Sequence, residues 1–150
     1  MPIIHLTTTI NAPIKKCFDL ARSIDFHTSS LATTDEKAIA GKTAGLIHLG
    51  EWVTWRAKHF GIYQTLTSTV IAMDAPWYFA DEMTEGIFTK MLHCHFFEKH
   101  GDITIMEDYF EYQSPLGWIG LVVDKIILKN YMTALLEKRN LHLKSTAERN

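Results

Sequence analysis

SPLGWIGLVVDKIILKNYMTALLEKRNLHLKSTA, residues 114 to 147, is the stretch whose reading decides the fold. It opens on Ser114-Pro115 and runs on without another proline. A serine can cap the free N–H groups of a helix start, and Pro115 fits the first turn, where its missing N–H loses no intrahelical partner. The spacing predicts one long helix from Ser114 to about Ala147. Its apolar stripe changes sides: Ile119, Val122, Val123, Ile126 and Ile127 share one face, whereas Leu128, Tyr131, Met132 and Leu135 fall on nearly the opposite one. A helix that is apolar on two sides must be covered twice or must bend, so a sheet wrapped around it is expected. Gly117 and Gly120 each weaken the helix by roughly 1 kcal/mol relative to alanine. With Trp118 between them, this opening reads either as a movable lid or as a close approach to a strand.

Composition sets the outer limits. A chain of 150 residues, 47% hydrophobic and 21% charged, is ordinary for a single globular domain spanning 1–150. Asp124 and Lys125 interrupt its most apolar run, so no membrane insertion is expected. The start, Met-Pro-Ile-Ile-His, has neither the basic beginning nor the apolar core of a signal peptide, and a cytoplasmic location is expected. Cys17 and Cys94 lie far apart and form no CxxC pair, so they read as core thiols rather than a disulfide framework or a cysteine-rich zinc site. A formal net charge of -2 lacks the basic excess of a nucleic-acid binder.

Working back from the helix, the chain changes grammar twice. Ile3 to Ile10 alternates with period two and is rich in β-branched residues, a first strand. Asn11-Ala12-Pro13 ends it and opens a short helix through about Arg22, with Ile14, Cys17, Phe18 and Ala21 on one face; Ser23 to Leu31 continues as a second short helix or turn. Strand patterns follow at Glu36 to Ile39, Gly50 to Phe60, Tyr63 to Met73, Trp77 to Thr84, Phe88 to Lys99 and Ile103 to Gln113. The breaks between most of them are short, at Gly61, Asp74-Ala75-Pro76, Glu85-Gly86 and His100-Gly101-Asp102, which implies an antiparallel meander. These six strands plus the first, curled about one long helix, form an α+β arrangement whose concave face need not fill completely, so an internal cavity is expected. Ala40 to Leu49, with two glycines among apolar residues, reads as a flexible loop at the cavity mouth facing Gly117 to Gly120, or as a plain surface connection.

Several pieces of this chain resemble the SRPBCC superfamily, which includes START lipid-transfer domains, birch-pollen-allergen-like proteins and polyketide cyclases. Ile10-Asn11-Ala12-Pro13 followed by Cys17-Phe18-Asp19-Leu20 looks like the entry to its first helix. A bacterial branch of ligand-binding SRPBCC proteins is similar at Gly50-Glu51-Trp52-Val53-Thr54-Trp55, His59-Phe60-Gly61, Pro76 with Phe79 and Asp81, Gly86 with Phe88, His93-Cys94-His95-Phe96-Phe97 and Asp108-Tyr109-Phe110. The resemblance implies a helix-grip fold, a seven-stranded antiparallel sheet gripping the C-terminal helix around a cavity. It implies no reaction, because members of the superfamily bind lipids, hormones, flavonoids and polyketides and only some are enzymes.

Strand parity selects the residues that face inward. On the last strand Thr104, Met106, Asp108, Phe110 and Tyr112 share a face opposite Glu107 and Glu111, and the glutamates belong in solvent. By the same rule His93, His95 and Phe97 go together, as do Phe79, Asp81 and Met83, and Val53, Trp55, Ala57 and His59. Two carboxylates and three histidines would then share an otherwise aromatic cavity. A buried carboxylate must be paired, hydrogen-bonded or protonated.

Three readings of that set stand side by side: a structural network, or outward-facing histidines, without a further role; polar anchors for an apolar ligand; and chemistry by a metal or by acid–base transfer. For a metal, His93 and His95 make a ligand pair with His59 or Asp108 third. A His-x-His strand pair also occurs in cupins, but those want a glutamate further on than Glu98, and no metal or cofactor is expected here. For catalysis His93 and Asp108 are the candidates, in a cyclase or dehydratase of the polyketide type; the chain has no Gly-x-Ser-x-Gly elbow and no phosphate-cradling glycine loop. The expected activity is noncovalent binding of a small hydrophobic ligand. Trp55, Phe79, Met106, Phe110 and Trp118 would form its walls, and His59, His93, His95, Asp81 and Asp108 would orient a polar group. A homodimeric interaction protein is the remaining alternative.

Overall fold

The computed structural model describes residues 1–114 and 127–149. The predicted helix opening after Ser114, the Gly117 and Gly120 pair, Trp118 and the stripe from Ile119 to Ile126 lie outside the described residues. Strand β1 (Ile3–Ile10) leads into helices α1 (Ile14–Ala21) and α2 (Ile24–Ser30), and strands β2 (Lys37–Gly41), β3 (Trp52–His59), β4 (Ile62–Asp74), β5 (Tyr78–Glu85), β6 (Lys90–His100) and β7 (Ile103–Gln113) follow. Helix α3 (Lys129–Ala147) comes last. Strand edges fall within two residues of where alternation puts them.

All seven strands form one antiparallel sheet in the order β1-β7-β6-β5-β4-β3-β2. The meander from β3 to β7 needs only short turns, residues 42–51 join β2 to β3, and β1 closes onto β7 in an unbroken register from Ile3 opposite Glu111 to Ile10 opposite Thr104. Register shifts interrupt β2–β3 between Ala38 and Ala40, and β4–β5 at Thr67/Ser68 and Val70/Ala72. Such bulges bend a strand and increase its twist, which lets this sheet curl around the helix. At the end of β2, Gly41 has φ of 73°, and a Cβ there would stand 2.3 Å from the Trp52 carbonyl oxygen. Only glycine lets β3 approach that closely.

The concave face carries three apolar clusters, and each has a sequence cause. Cys17, Phe18 and Ala21, the buried stripe of α1, meet Phe79, Phe97, Met106 and Leu143; the Phe18 ring stands edge-on to Phe79 and Phe97, 5.4 Å from each. Ile4, Phe88, Met91, Phe110, Tyr112 and Leu136 form a second group, and Ile24, Ile47, Val53 and Val70 a third. The buried ridge of α3 runs Leu136, Arg139, Asn140, Leu143 and Ala147, so two polar side chains sit on the stripe that faces the sheet. Between the clusters the concave face stays open.

Candidate functional site

The opening is a cavity of about 340 Å³. Strands contribute Val53, Trp55, Ala57 and His59 from β3 and Phe79 and Asp81 from β5, with His93 and His95 from β6 and Phe110 from β7. The predicted second-half stripe, Leu128 just before α3 and Tyr131, Met132 and Leu135 on it, closes the other side together with Leu136. Alternation therefore aimed the strands correctly. Of the predicted lining residues, Trp55, His59, Phe79, Asp81, His93, His95 and Phe110 reach the cavity.

Two predicted lining residues do not. Met106 is fully buried among Phe18, Phe79, Phe97 and Leu143, below the cavity floor, and Asp108 is fully buried without being part of the cavity wall. Both point to the concave face, as parity requires, but that face is deeper than the cavity. The helix α1 fills the end of the sheet that Met106 occupies. Asp108 stands behind the histidines and acts on the cavity through them.

Asp108 is the centre of the polar network. His93 Nε2 lies 2.9 Å from its Oδ1, Asn140 Nδ2 donates to Oδ2 at 2.7 Å, and Arg139 Nη1 donates to Oδ1 at 3.3 Å. His95 Nδ1 stands 3.3 Å from the same Oδ1, off hydrogen-bond geometry. Burial alone would raise this carboxyl, but the His93 hydrogen bond, the adjacent His95 ring and the Arg139 charge hold it well below the usual carboxylate range. It is a carboxylate at neutral pH. Arg139 also donates to the Ala21 carbonyl oxygen at the end of α1 and to Asn140 Oδ1, so one buried guanidinium ties α3 to β7 and to α1.

His93 is pushed down to about 4, because burial penalises its cation and His95 repels it, against the opposing pull of Asp108. At neutral pH it is a neutral imidazole. His95 stacks on Phe79 with centroids 4.1 Å apart, and its Nε2 lies 3.2 Å from Asp81 Oδ1. Burial works against the Asp81 carboxylate, yet its hydrogen bond with His95 and the charges around it leave it lowered. One wall of the cavity thus presents Asp81, His93 and His95 side by side, backed by Asp108.

Across the cavity the polar groups are paired differently. His59 Nδ1 and the Tyr131 hydroxyl share a hydrogen bond of 2.7 Å, and burial lowers His59 and raises Tyr131. His27 Nε2 meets Glu36 Oε1 at 2.8 Å, and the His27 ring lies 4.2 Å from that of Trp55. Gln64 Oε1 is buried at the cavity wall with no hydrogen-bond partner among the described residues. His59 is therefore on the far side from His93 and His95, and the predicted polar set divides into two groups.

The predicted flexible loop is pinned instead. Ala40 and Gly41 belong to β2. Ile24 N donates to the Gly45 carbonyl oxygen, Gly45 N to Asp25 Oδ2, and Ile47 N to the Arg22 carbonyl oxygen. Ile47 is buried and lines the cavity. This end of the loop is a wall of the cavity, fastened to the α1–α2 junction.

Sequence parity missed Arg139, Asn140, the His27–Glu36 pair and Gln64. Arg139 and Asn140 carried a readable signal, since helical spacing from Leu136 and Leu143 puts both on the apolar stripe. A charged residue on a buried stripe requires a buried partner. His27 and Gln64 gave none, because their partners are set by tertiary placement.

No family model matches this chain, and no curated protein does. Solved structures match over nearly its full length. TTHA0849 from Thermus thermophilus is 16% identical, covering 98% of this chain and 100% of its own, with a TM-score of 0.75. Ginseng major latex-like protein 151 from Panax ginseng is 11% identical, covering 99% and 98%, with a TM-score of 0.68. Ara h 8.0201 is 12% identical, covering 96% and 98%, with a TM-score of 0.64. Identities this low speak for the fold alone, and they agree with the seven-stranded sheet curled about a C-terminal helix. The chain has the helix-grip fold of the SRPBCC and birch-pollen-allergen-like proteins.

Proposed function

We propose that this protein binds a small, mostly apolar molecule noncovalently in the cavity between sheet and helix. The observation that carries the reading is the cavity itself: about 340 Å³, walled by Trp55, Phe79, Phe110, Leu135 and Leu136, with Asp81, His93 and His95 clustered on one wall. Apolar walls with a few placed polar groups are what a ligand pocket needs, because the walls supply affinity and the polar groups supply orientation. A planar or lipid-like body would lie against Trp55 and Phe79, and an oxygen-bearing end would meet the histidines. Among the described residues no helix is long and apolar enough to cross a membrane, and a cytoplasmic, single-domain carrier or sensor of such a molecule fits this reading.

One observation favours turnover as a second reading. His93 lines the cavity while Asp108 holds its Nε2, an arrangement that fixes an imidazole for proton transfer in a cyclase or dehydratase. Binding ranks first because Asp108 is ionised and fully buried, with neither a proton to give nor access to a bound molecule.

Titration with anilinonaphthalene sulfonate, an apolar fluorophore with one anionic group, tests the binding reading. Saturable one-to-one fluorescence enhancement, competed by medium-chain fatty acids or flavonoids, is the expected result. Absence of saturable binding in a protein with a cooperative unfolding transition would overturn it.

A further inference from the structure

His95 is held between two carboxylates. Its Nε2 lies 3.2 Å from Asp81 Oδ1 and its Nδ1 lies 3.3 Å from Asp108 Oδ1. A neutral imidazole carries one N–H and one lone pair. If Nε2 donates to Asp81, Nδ1 is left buried beside the Asp108 carboxylate with no hydrogen-bond partner among the described residues; if Nδ1 holds the proton, the Nε2 lone pair faces Asp81 Oδ1. The ring is 3% exposed, so water cannot mediate freely. A cation at the Nε2–Asp81 contact would let Nδ1 keep its proton beside Asp108 and turn the facing lone pair and carboxylate into a pair of ligands.

We propose that Asp81, His93 and His95 bind a divalent first-row transition ion, of the zinc or iron(II) class, on the cavity wall, with Asp108 as its outer-sphere partner. Each residue offers one ligand atom, and the three atoms lie within 4.8 Å of one another. Two ligands about 2.05 Å from a tetrahedral ion stand roughly 3.3 Å apart. The observed 3.2 Å between His95 Nε2 and Asp81 Oδ1 is that spacing.

The outer sphere is already built. Asp108 accepts from His93 Nε2, which fixes the tautomer that leaves His93 Nδ1 free to coordinate, and its Oδ1 stands 3.3 Å from His95 Nδ1, within reach of that N–H when Nε2 binds an ion. Metal-bound histidines nearly always donate their other nitrogen to such a partner. Asn140 and Arg139 lock that carboxylate in turn. Two imidazoles and one carboxylate suit a divalent transition ion better than magnesium or calcium, which prefer oxygen.

Charge points the same way. Asp81 and Asp108 face one guanidinium, Arg139, leaving a negative charge over on this wall. A dication with two neutral imidazoles turns that into one positive charge, which an anionic or polarised oxygen entering from the cavity would balance. Because all three ligands line the cavity, the remaining coordination positions open into it. The ion would accordingly select ligands that end in a carboxylate, enolate or phenolate. This extension rests on the binding reading; the metal site itself does not.

The test uses the full chain purified without an affinity tag, stripped with chelator and titrated separately with zinc and cobalt(II). One equivalent of cobalt with a tetrahedral or five-coordinate visible band, and a thermal midpoint raised by zinc and restored by chelator, are the expected results. Asp81→Asn keeps the size of the side chain and should weaken zinc at least tenfold, as should His93→Gln. His48 and His100 are exposed and pair with Glu51 and Glu98, so the double substitution His48→Gln with His100→Gln should leave the affinity unchanged. No visible band and no thermal shift at millimolar metal would overturn the proposal, as would affinity lost only in the surface variant. Fluorophore binding in chelator reports on the cavity separately, so loss of one result does not masquerade as loss of the other.

Discussion

Asn140 Nδ2 donates to Asp108 Oδ2 at 2.7 Å, a hydrogen bond between α3 and β7 that no solvent reaches. Together with Arg139 it makes the grip of sheet on helix partly ionic. Asp108→Ala leaves Arg139, 3% exposed, without its carboxylate. Breaking one side of a buried pair costs about 3–5 kcal/mol. Urea unfolding of Asp108→Ala should show a loss of that order, and Arg139→Met a comparable one.

The same network makes the metal-free protein acid-sensitive in two stages. His93 stands at about 4 in the fold against 6.5 when free, so the unfolded chain takes up a proton first as pH falls. Stability should decline from pH 6.5 toward 4, by up to about 3 kcal/mol at 1.36 kcal/mol per unit. Asp108 is depressed, so its contribution holds above its unfolded value and is lost as pH falls further. Urea midpoints measured from pH 7 to pH 3 should fall continuously, and His93→Gln should flatten the upper stage alone.

Gly41 is the tightest backbone constraint on the sheet. A methyl group there meets the Trp52 carbonyl oxygen at 2.3 Å with φ at 73°. Gly41→Ala must displace β3 or strain β2, at about 1–3 kcal/mol for the dihedral alone. Thermal unfolding of Gly41→Ala should show a lowered midpoint, while Gly50→Ala, where nothing stands within 4 Å of the added Cβ, should lose less.

Filling the cavity should separate binding from folding. Ala57 is 5% exposed and lines the cavity from β3. Ala57→Leu places three more carbons into open space, where added apolar contact does not crowd a packed core. The variant should unfold no earlier than the parent and bind anilinonaphthalene sulfonate at least tenfold more weakly in fluorescence titration.

Legibility followed the kind of physics involved. Period-two alternation over Ile103–Gln113 places Thr104, Met106, Asp108, Phe110 and Tyr112 on the buried face, and all five are buried. Parity says which face, not how deep, so Met106 and Asp108, expected in the cavity wall, lie beneath it. The division of His59 from His93 and His95 follows from the place of their strands, β4 and β5 standing between β3 and β6, which face parity does not register. Likewise, two glycines between Ala40 and Leu49 suggest freedom, but backbone hydrogen bonds from Ile24 and Ile47 fasten the segment. Arg139 could have been read: a guanidinium on the Leu136–Leu143 stripe requires a buried anion, and Asp108 was the inward carboxylate waiting for one.

Native mass spectrometry of freshly purified protein, followed by solvent extraction, bears most directly on the proposed function. A one-to-one complex that releases a small, mostly apolar molecule, and that is absent from Ala57→Leu, is the predicted result. A parent protein whose mass matches the bare chain and which gains no adduct when lipid, polyketide and aromatic metabolite mixtures are added would contradict it.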